Sequence, residues 1–239
     1  GPHQALRLEP SISVPKRASG SVEEGAGPAP GRGARTLLRR AATATASRQA
    51  AVTSTASTPE IDERMSLEEV AALVCSTLDE HGISVVLSGG SVVTIYSNAE
   101  YVSYDLDFIP IGLARKVDRA MKSLGFEKQQ RHWRHPRSRY WVEFPSGPVV
   151  IGEETIREFA ERESSTGVLR LLRPTECVMD RLAWYFHGAD PQCLEQAIRV
   201  ASLHAVDLAR IERWARGERP HGEERFREFA RRLRQVQNE

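Results

Sequence analysis

Two aspartates one residue apart, Asp105 and Asp107, are the side chains best spaced for chemistry in this chain. They fall in residues 103–108, Ser-Tyr-Asp-Leu-Asp-Phe, whose alternation predicts a strand. Side chains two apart on a strand share a face, so both carboxylates project together. Like charges held that close each raise the cost of ionising the other. A Mg²⁺ ion removes that penalty, and it takes hard oxygen ligands, usually alongside substrate phosphates. Upstream, Gly89, Gly90 and Ser91 form a glycine turn ahead of a short apolar stretch, residues 92–97. Glycine leaves the backbone free to approach a ligand, and a helix opened by Ser91 can receive phosphates at its N-terminus. Leu106 and Phe108 frame the acids with apolar residues, which argues against a merely solvated charge pair.

The elements that must position these groups follow from local pattern. Ser66-x-x-Glu69 has the form of a capping box, and the apolar positions Val70, Leu73, Val74 and Leu78 behind it predict a helix ending near Gly82. Residues 83–87, Ile-Ser-Val-Val-Leu, read as a buried strand leading into the glycine turn. After the acids, residues 114–124 predict an amphipathic helix closed by Gly125. Two strands are then expected, 126–134 and 139–144, with His135-Pro136 as the turn signal between them. Residues 168–172 read as a further strand. Helices are expected over 175–187, from the Asp190 cap onward, over 207–214 and over 223–236. The expected fold class is α/β (α+β), a small mixed-sheet domain over residues 61–172 followed by a helical subdomain over 173–239.

Two other groups have chemical potential. Glu143 is one acid in an otherwise aromatic and apolar strand, where an unpartnered carboxylate costs several kcal/mol. It therefore needs a partner, for which an arginine is one candidate. Residues 128–139 interleave basic groups with Trp133, and Arg131, Trp133, Arg134, Arg137 and Arg139 together suit phosphate contact with base stacking. The other reading is a soluble, solvated hairpin edge. His132 and His135 have no cysteine companions at zinc spacing. No serine sits in a nucleophile context.

Composition narrows the setting. The net charge of +1 over 239 residues exerts no global pull toward nucleic acid, so any basic surface is local. Three cysteines, Cys75, Cys177 and Cys193, lie in apolar helical patterns and read as reduced thiols, most simply in a cytoplasmic protein. No apolar run approaches the ~20 residues that span a bilayer, so no membrane partner is expected. Residues 1–60 are rich in Ala, Ser, Thr, Gly and Pro, carry Arg32, Arg35, Arg39 and Arg40, and predict a disordered N-terminal extension.

The order Gly-Gly-Ser, short helix, then Asp-x-Asp on the next strand resembles the minimal nucleotidyltransferase fold, and within it the bacterial AbiEii and MenT toxin-type enzymes. The resemblance runs from about Ser66 to about Leu208. It implies a Mg²⁺-dependent transfer of a nucleoside monophosphate from an NTP to an acceptor, an RNA or tRNA 3′ end, in a toxin–antitoxin or phage-defence setting with a cognate antitoxin. Asp105 and Asp107 would then hold the metal, with Glu143 as the third acid. Gly89, Gly90 and Ser91 would line the triphosphate, and Ser103 would stand beside the acids. The family's helical half carries a lysine and an aspartate; here Asp180 and Arg181 stand at the matching place and the lysine is missing. Arg181 is the candidate to neutralise the leaving group, or else Asp180 and Arg181 form an ion pair. Two rivals remain open: a nucleotidyltransferase acting on a protein or small molecule, and a non-catalytic nucleotide- or RNA-binding protein of the same fold.

Overall fold

In the computed structural model, Ser66 caps the first helix, α1 (Leu67–Glu80). Its hydroxyl accepts from the Glu69 N–H at 3.2 Å while its own N–H donates to the Glu69 carboxylate at 2.9 Å, so two helix-end donors are satisfied reciprocally. The structure describes residues 59–111, 117–188 and 190–238. Chain contacts divide into two units, Gly1–Thr58 and Pro59–Glu239, and the sheet with its helices belongs to the second. The expected N-terminal extension lies almost wholly, and its arginines wholly, outside the described residues, as do residues 112–116, which include the first turn of the helix expected over 114–124.

Beyond α1 come β1 (Val85–Ser88), α2 (Gly90–Tyr96), β2 (Asp105–Pro110) and α3 (Asp118–Ser123). Next are β3 (Glu127–Gln129), β4 (His132–Arg134), β5 (Trp141–Glu143), β6 (Val150–Ile151), β7 (Glu154–Thr155), β8 (Ala160–Ser164) and β9 (Gly167–Leu171). Four helices follow: α4 (Pro174–Gly188), α5 (Pro191–Leu203), α6 (Leu208–Gly217) and α7 (Gly222–Gln237). The fold is mixed α/β. Seven strands form one mixed sheet in the order β3-β4-β5-β2-β1-β9-β8, and β6 pairs with β7 apart from it. β2 therefore occupies the middle, antiparallel to β1 and parallel to β5. The outermost strands, Glu-Lys-Gln in β3 and Ala-Glu-Arg-Glu-Ser in β8, carry charge.

The strand expected over 126–134 is instead a hairpin. Gln129 pairs with His132, and Gln130 turns the chain at φ +57°. One face of the sheet buries Leu87, Leu106, Phe108, Trp133, Val142 and Leu171, each at most 1% exposed. α1 packs on β9 and β1, and α4 pairs along α5. Asp190 caps α5 by accepting from the Gln192 N–H at 2.9 Å, and Asp207 caps α6 by accepting from the Arg210 N–H at 2.9 Å. The three cysteines are free thiols and buried.

Candidate active site on the middle strand

The register of the three central strands decides what stands beside the acids. Asp107 pairs with Ser88 of β1 on one side and with Glu143 of β5 on the other. Directly paired residues share a face, so Ser88, Asp107 and Glu143 form one row across the sheet. Asp105 pairs with Trp141, which in turn pairs with Arg134 of β4, giving a second row on the same face. The intervening Leu106 and Val142 point to the opposite, core side, both fully buried. The alternation expected of residues 103–108 thus holds from Asp105 onward.

The glycine turn abuts this face. Gly89 adopts φ +73° and ψ −156°, a region open essentially to glycine alone. A Cβ there would lie 2.8 Å from Asp107 Oδ2, so the missing side chain makes room for that carboxylate. Gly90 starts α2 facing Ser103, whose hydroxyl would sit 3.5 Å from an added Cβ. Ser103 folds over the entrance to β2: its hydroxyl accepts from the Asp105 N–H and donates to the Asp105 carbonyl, both at 3.2 Å. Its own N–H donates to Thr94 Oγ1 at 2.9 Å, which ties the approach to β2 to α2. Ser91 is fully buried, and its hydroxyl donates to the Ser88 carbonyl at 3.1 Å. That hydroxyl secures the turn; it does not line a ligand surface.

Of the two partners expected for Glu143, the ion pair is the one seen. Its carboxylate, 7% exposed, meets Arg131 Nε at 3.2 Å and His132 Nε2. Among the described residues, no group of three or more His, Cys, Asp or Glu side chains gathers as a metal-holding set.

The basic segment is split by its own pleat. Trp133, expected to stack a base, is 1% exposed in the core. It sits one residue out of phase with the acid face, because β4 turns His132 and Arg134 to that face and Trp133 away. Trp141 takes the position beside Asp105, with the Arg134 guanidinium 5.0 Å from its ring centroid. Arg137 is drawn off to Glu60 and Asp62, and Arg139 lies over Tyr140. Arg131 and Arg134 alone of the five basic-segment residues stand next to the acid-bearing rows.

Arg181 is not offered to a ligand. Its side chain is 4% exposed and its guanidinium binds the Asp180 carboxylate at 2.6 and 3.0 Å, with Cys193 Sγ of α5 at 4.0 Å. Burial works against the charge, but the Asp180 carboxylate, together with Cys193 and Cys177 nearby, outweighs it, so the guanidinium holds its proton more tightly than usual. Asp180 is correspondingly occupied with Arg181. Sequence reading missed Trp141, Tyr104 and His132 as neighbours of the acids. The signal was present for Trp141, which shares the strand parity of Glu143.

No protein-family model matches the chain, and no curated protein matches it. Among solved structures, it is similar to an antigenic nucleotidyltransferase-like protein from Paracoccidioides brasiliensis. The two share 17% identity over 55% of this chain and 75% of that one, with a TM-score of 0.40. At that distance the functional reading rests on the geometry of the acid-bearing face.

Proposed function

We propose that this chain is a metal-dependent nucleotidyltransferase that moves a nucleoside monophosphate from an NTP to an RNA or tRNA 3′ end. The observation that carries the reading is the Gly89 turn against Asp107: two aspartates on one face of the middle strand, with a backbone left bare beside them. That donor set fits Mg²⁺, which is commonly held by one or two carboxylates plus substrate phosphates. Asp105 and Asp107 would be its ligands, and when bound the ion supplies charge neutralisation at the α-phosphate and makes the acceptor hydroxyl easier to ionise. The chain's own residues do the positioning. Ser103 and Ser88 fix the backbone of the two aspartates, through bonds of 3.2 Å to Asp105 and 3.3 Å to the Asp107 carbonyl. Arg131, half exposed beside Glu143, would supply positive charge to an incoming phosphate. Glu143 is here a counter-ion for Arg131 and lies against the His132 ring nitrogen. The RNA acceptor, cognate antitoxin and toxin or phage-defence setting come from the resemblance to AbiEii and MenT-type enzymes.

One observation favours a second reading. Arg181, at the place where the resembled enzymes carry a lysine, is committed to Asp180, as suits a non-catalytic nucleotide- or RNA-binding protein. Incubating the protein with Mg²⁺, each α-labelled NTP, and total RNA or tRNA separates the two. Label on RNA with the native chain, and none with Asp105→Asn/Asp107→Asn, is the expected result. Transfer that survives the double substitution would sink the assignment of the acids. Nucleotide binding without transfer to RNA, protein or small-molecule acceptors would favour the second reading.

A further inference from the structure

Resting on that reading, we propose that Trp141, with Tyr104 and Arg134, is the shelf on which the site holds a nucleobase. Three observations converge on it. First, Trp141 stands in register with Asp105 on the acid-bearing face. Neighbouring strands lie about 4.8 Å apart, so the indole is rooted one strand from the carboxylate, a spacing suited to a base whose phosphate lies at the acids. Second, the ring lies among flat and cationic groups. Tyr104 is stacked with it at 6.4 Å and 24°, His132 meets it edge-on at 6.4 Å, and the Arg134 guanidinium is 5.0 Å from its centroid. Aromatic faces interleaved with arginine bind bases of any sequence. Third, the indole Nε1 is buried with no hydrogen-bond partner. Tryptophan N–H groups ordinarily find an acceptor when buried. A base lying on the ring leaves that in-plane N–H to an oxygen of the ribose or phosphate of the same nucleotide.

Arg134 is exposed, so it can swing off the ring as a base arrives, and its guanidinium then suits a phosphate oxygen. The base has two sources: the incoming NTP or the terminal residue of the RNA acceptor. Both present the same chemistry to the shelf.

The test is binding, read apart from turnover. Two probes are titrated with Mg²⁺: a non-transferable α,β-methylene NTP analogue, and a single-stranded hexaribonucleotide without a 5′ phosphate. At least one should quench tryptophan fluorescence saturably, and the one that does so identifies the source of the base. The quench should vanish in Trp141→Phe, which keeps a ring and its volume, while calorimetry shows its affinity retained. Trp141→Leu should weaken binding about tenfold, the value of one lost base stack. A quench that persists in Trp141→Phe, no quench by either probe, or unchanged affinity in Trp141→Leu overturns the shelf. Trp141-dependent binding in a protein that transfers nothing overturns the catalytic reading and leaves the shelf standing. Transfer at an unchanged KM in Trp141→Leu does the reverse.

Discussion

Gly89→Ala puts the turn and the acid pair under one strain. The backbone at φ +73°, ψ −156° lies where a non-glycine residue costs about 1–3 kcal/mol. The added Cβ would stand 2.8 Å from Asp107 Oδ2, with the Asp107 Cγ at 3.7 Å and Cβ at 3.8 Å. The carboxylate end is thus the atom that must move, and turning it about 30° off its rotamer costs roughly 0.5–1.5 kcal/mol. Together these give a loss of about 2–4 kcal/mol. For a domain of this size each kcal/mol lowers Tm by about 2–4 °C, so calorimetry should record a fall of roughly 5–15 °C. Displacing a reacting-site group by about 1 Å costs on the order of a hundredfold in rate, and nucleotide transfer should fall by that much in the folded fraction. Gly90→Ala is the matched control. Its Cβ meets Ser103 Oγ at 3.5 Å in ordinary contact, so stability should hold or rise by up to about 1 kcal/mol. A Gly89→Ala protein that melts and transfers like the native chain would show that Asp107 does not lie against this turn.

Two further perturbations probe groups the structure reassigns. Arg181→Ala strips the counter-charge from a largely buried Asp180, and the denaturation midpoint should drop by the equivalent of roughly 3 kcal/mol. An unchanged midpoint with a raised KM for NTP would return Arg181 to the ligand. The Glu69 carboxyl is held below its ordinary value of 4.5, first by the Ser66 N–H and then by the Ser165 and Ser66 hydroxyls. A depressed acid stabilises the fold fully above its unfolded pKa and loses that contribution as pH falls through the lower, folded one. Urea midpoints of the native chain and Glu69→Gln should therefore differ at neutral pH and converge in acid. A gap that stays constant would remove the capping box from the pH response.

The acid pair was legible because its information is local: a two-residue period and a glycine turn are both written within residues 87–108. The same holds for the Ser66 capping box and the Asp190 cap, where sequence neighbours satisfy each other. Trp133 and Trp141 were exchanged in role for a different reason. Whether Trp133 faces the acids depends on the register of β4 against β5, and that depends on a hairpin turn at Gln130 that carries no glycine or Asn-Gly signal. A one-residue difference in register moves a side chain to the other face. Glu143 was left with two partners because the choice required knowing that His132 and Arg131 come round the hairpin to meet it. Arg181 stayed open between a ligand and an ion pair with Asp180, because helix periodicity reports which face a residue occupies and says nothing of how deeply the pair is buried.

The charge on the outermost strands governs how this protein behaves toward its own copies. Among the described residues, the seven-stranded sheet ends in two outer strands, and an outer strand is a template for another chain. Here one consists of Glu127, Lys128 and Gln129, all exposed, and the other alternates Glu161, Arg162 and Glu163. An incoming strand would have to match that pattern of charge or desolvate it. Growth of the sheet from molecule to molecule is thereby opposed at both ends, and the apolar middle strands stay enclosed while the protein is concentrated.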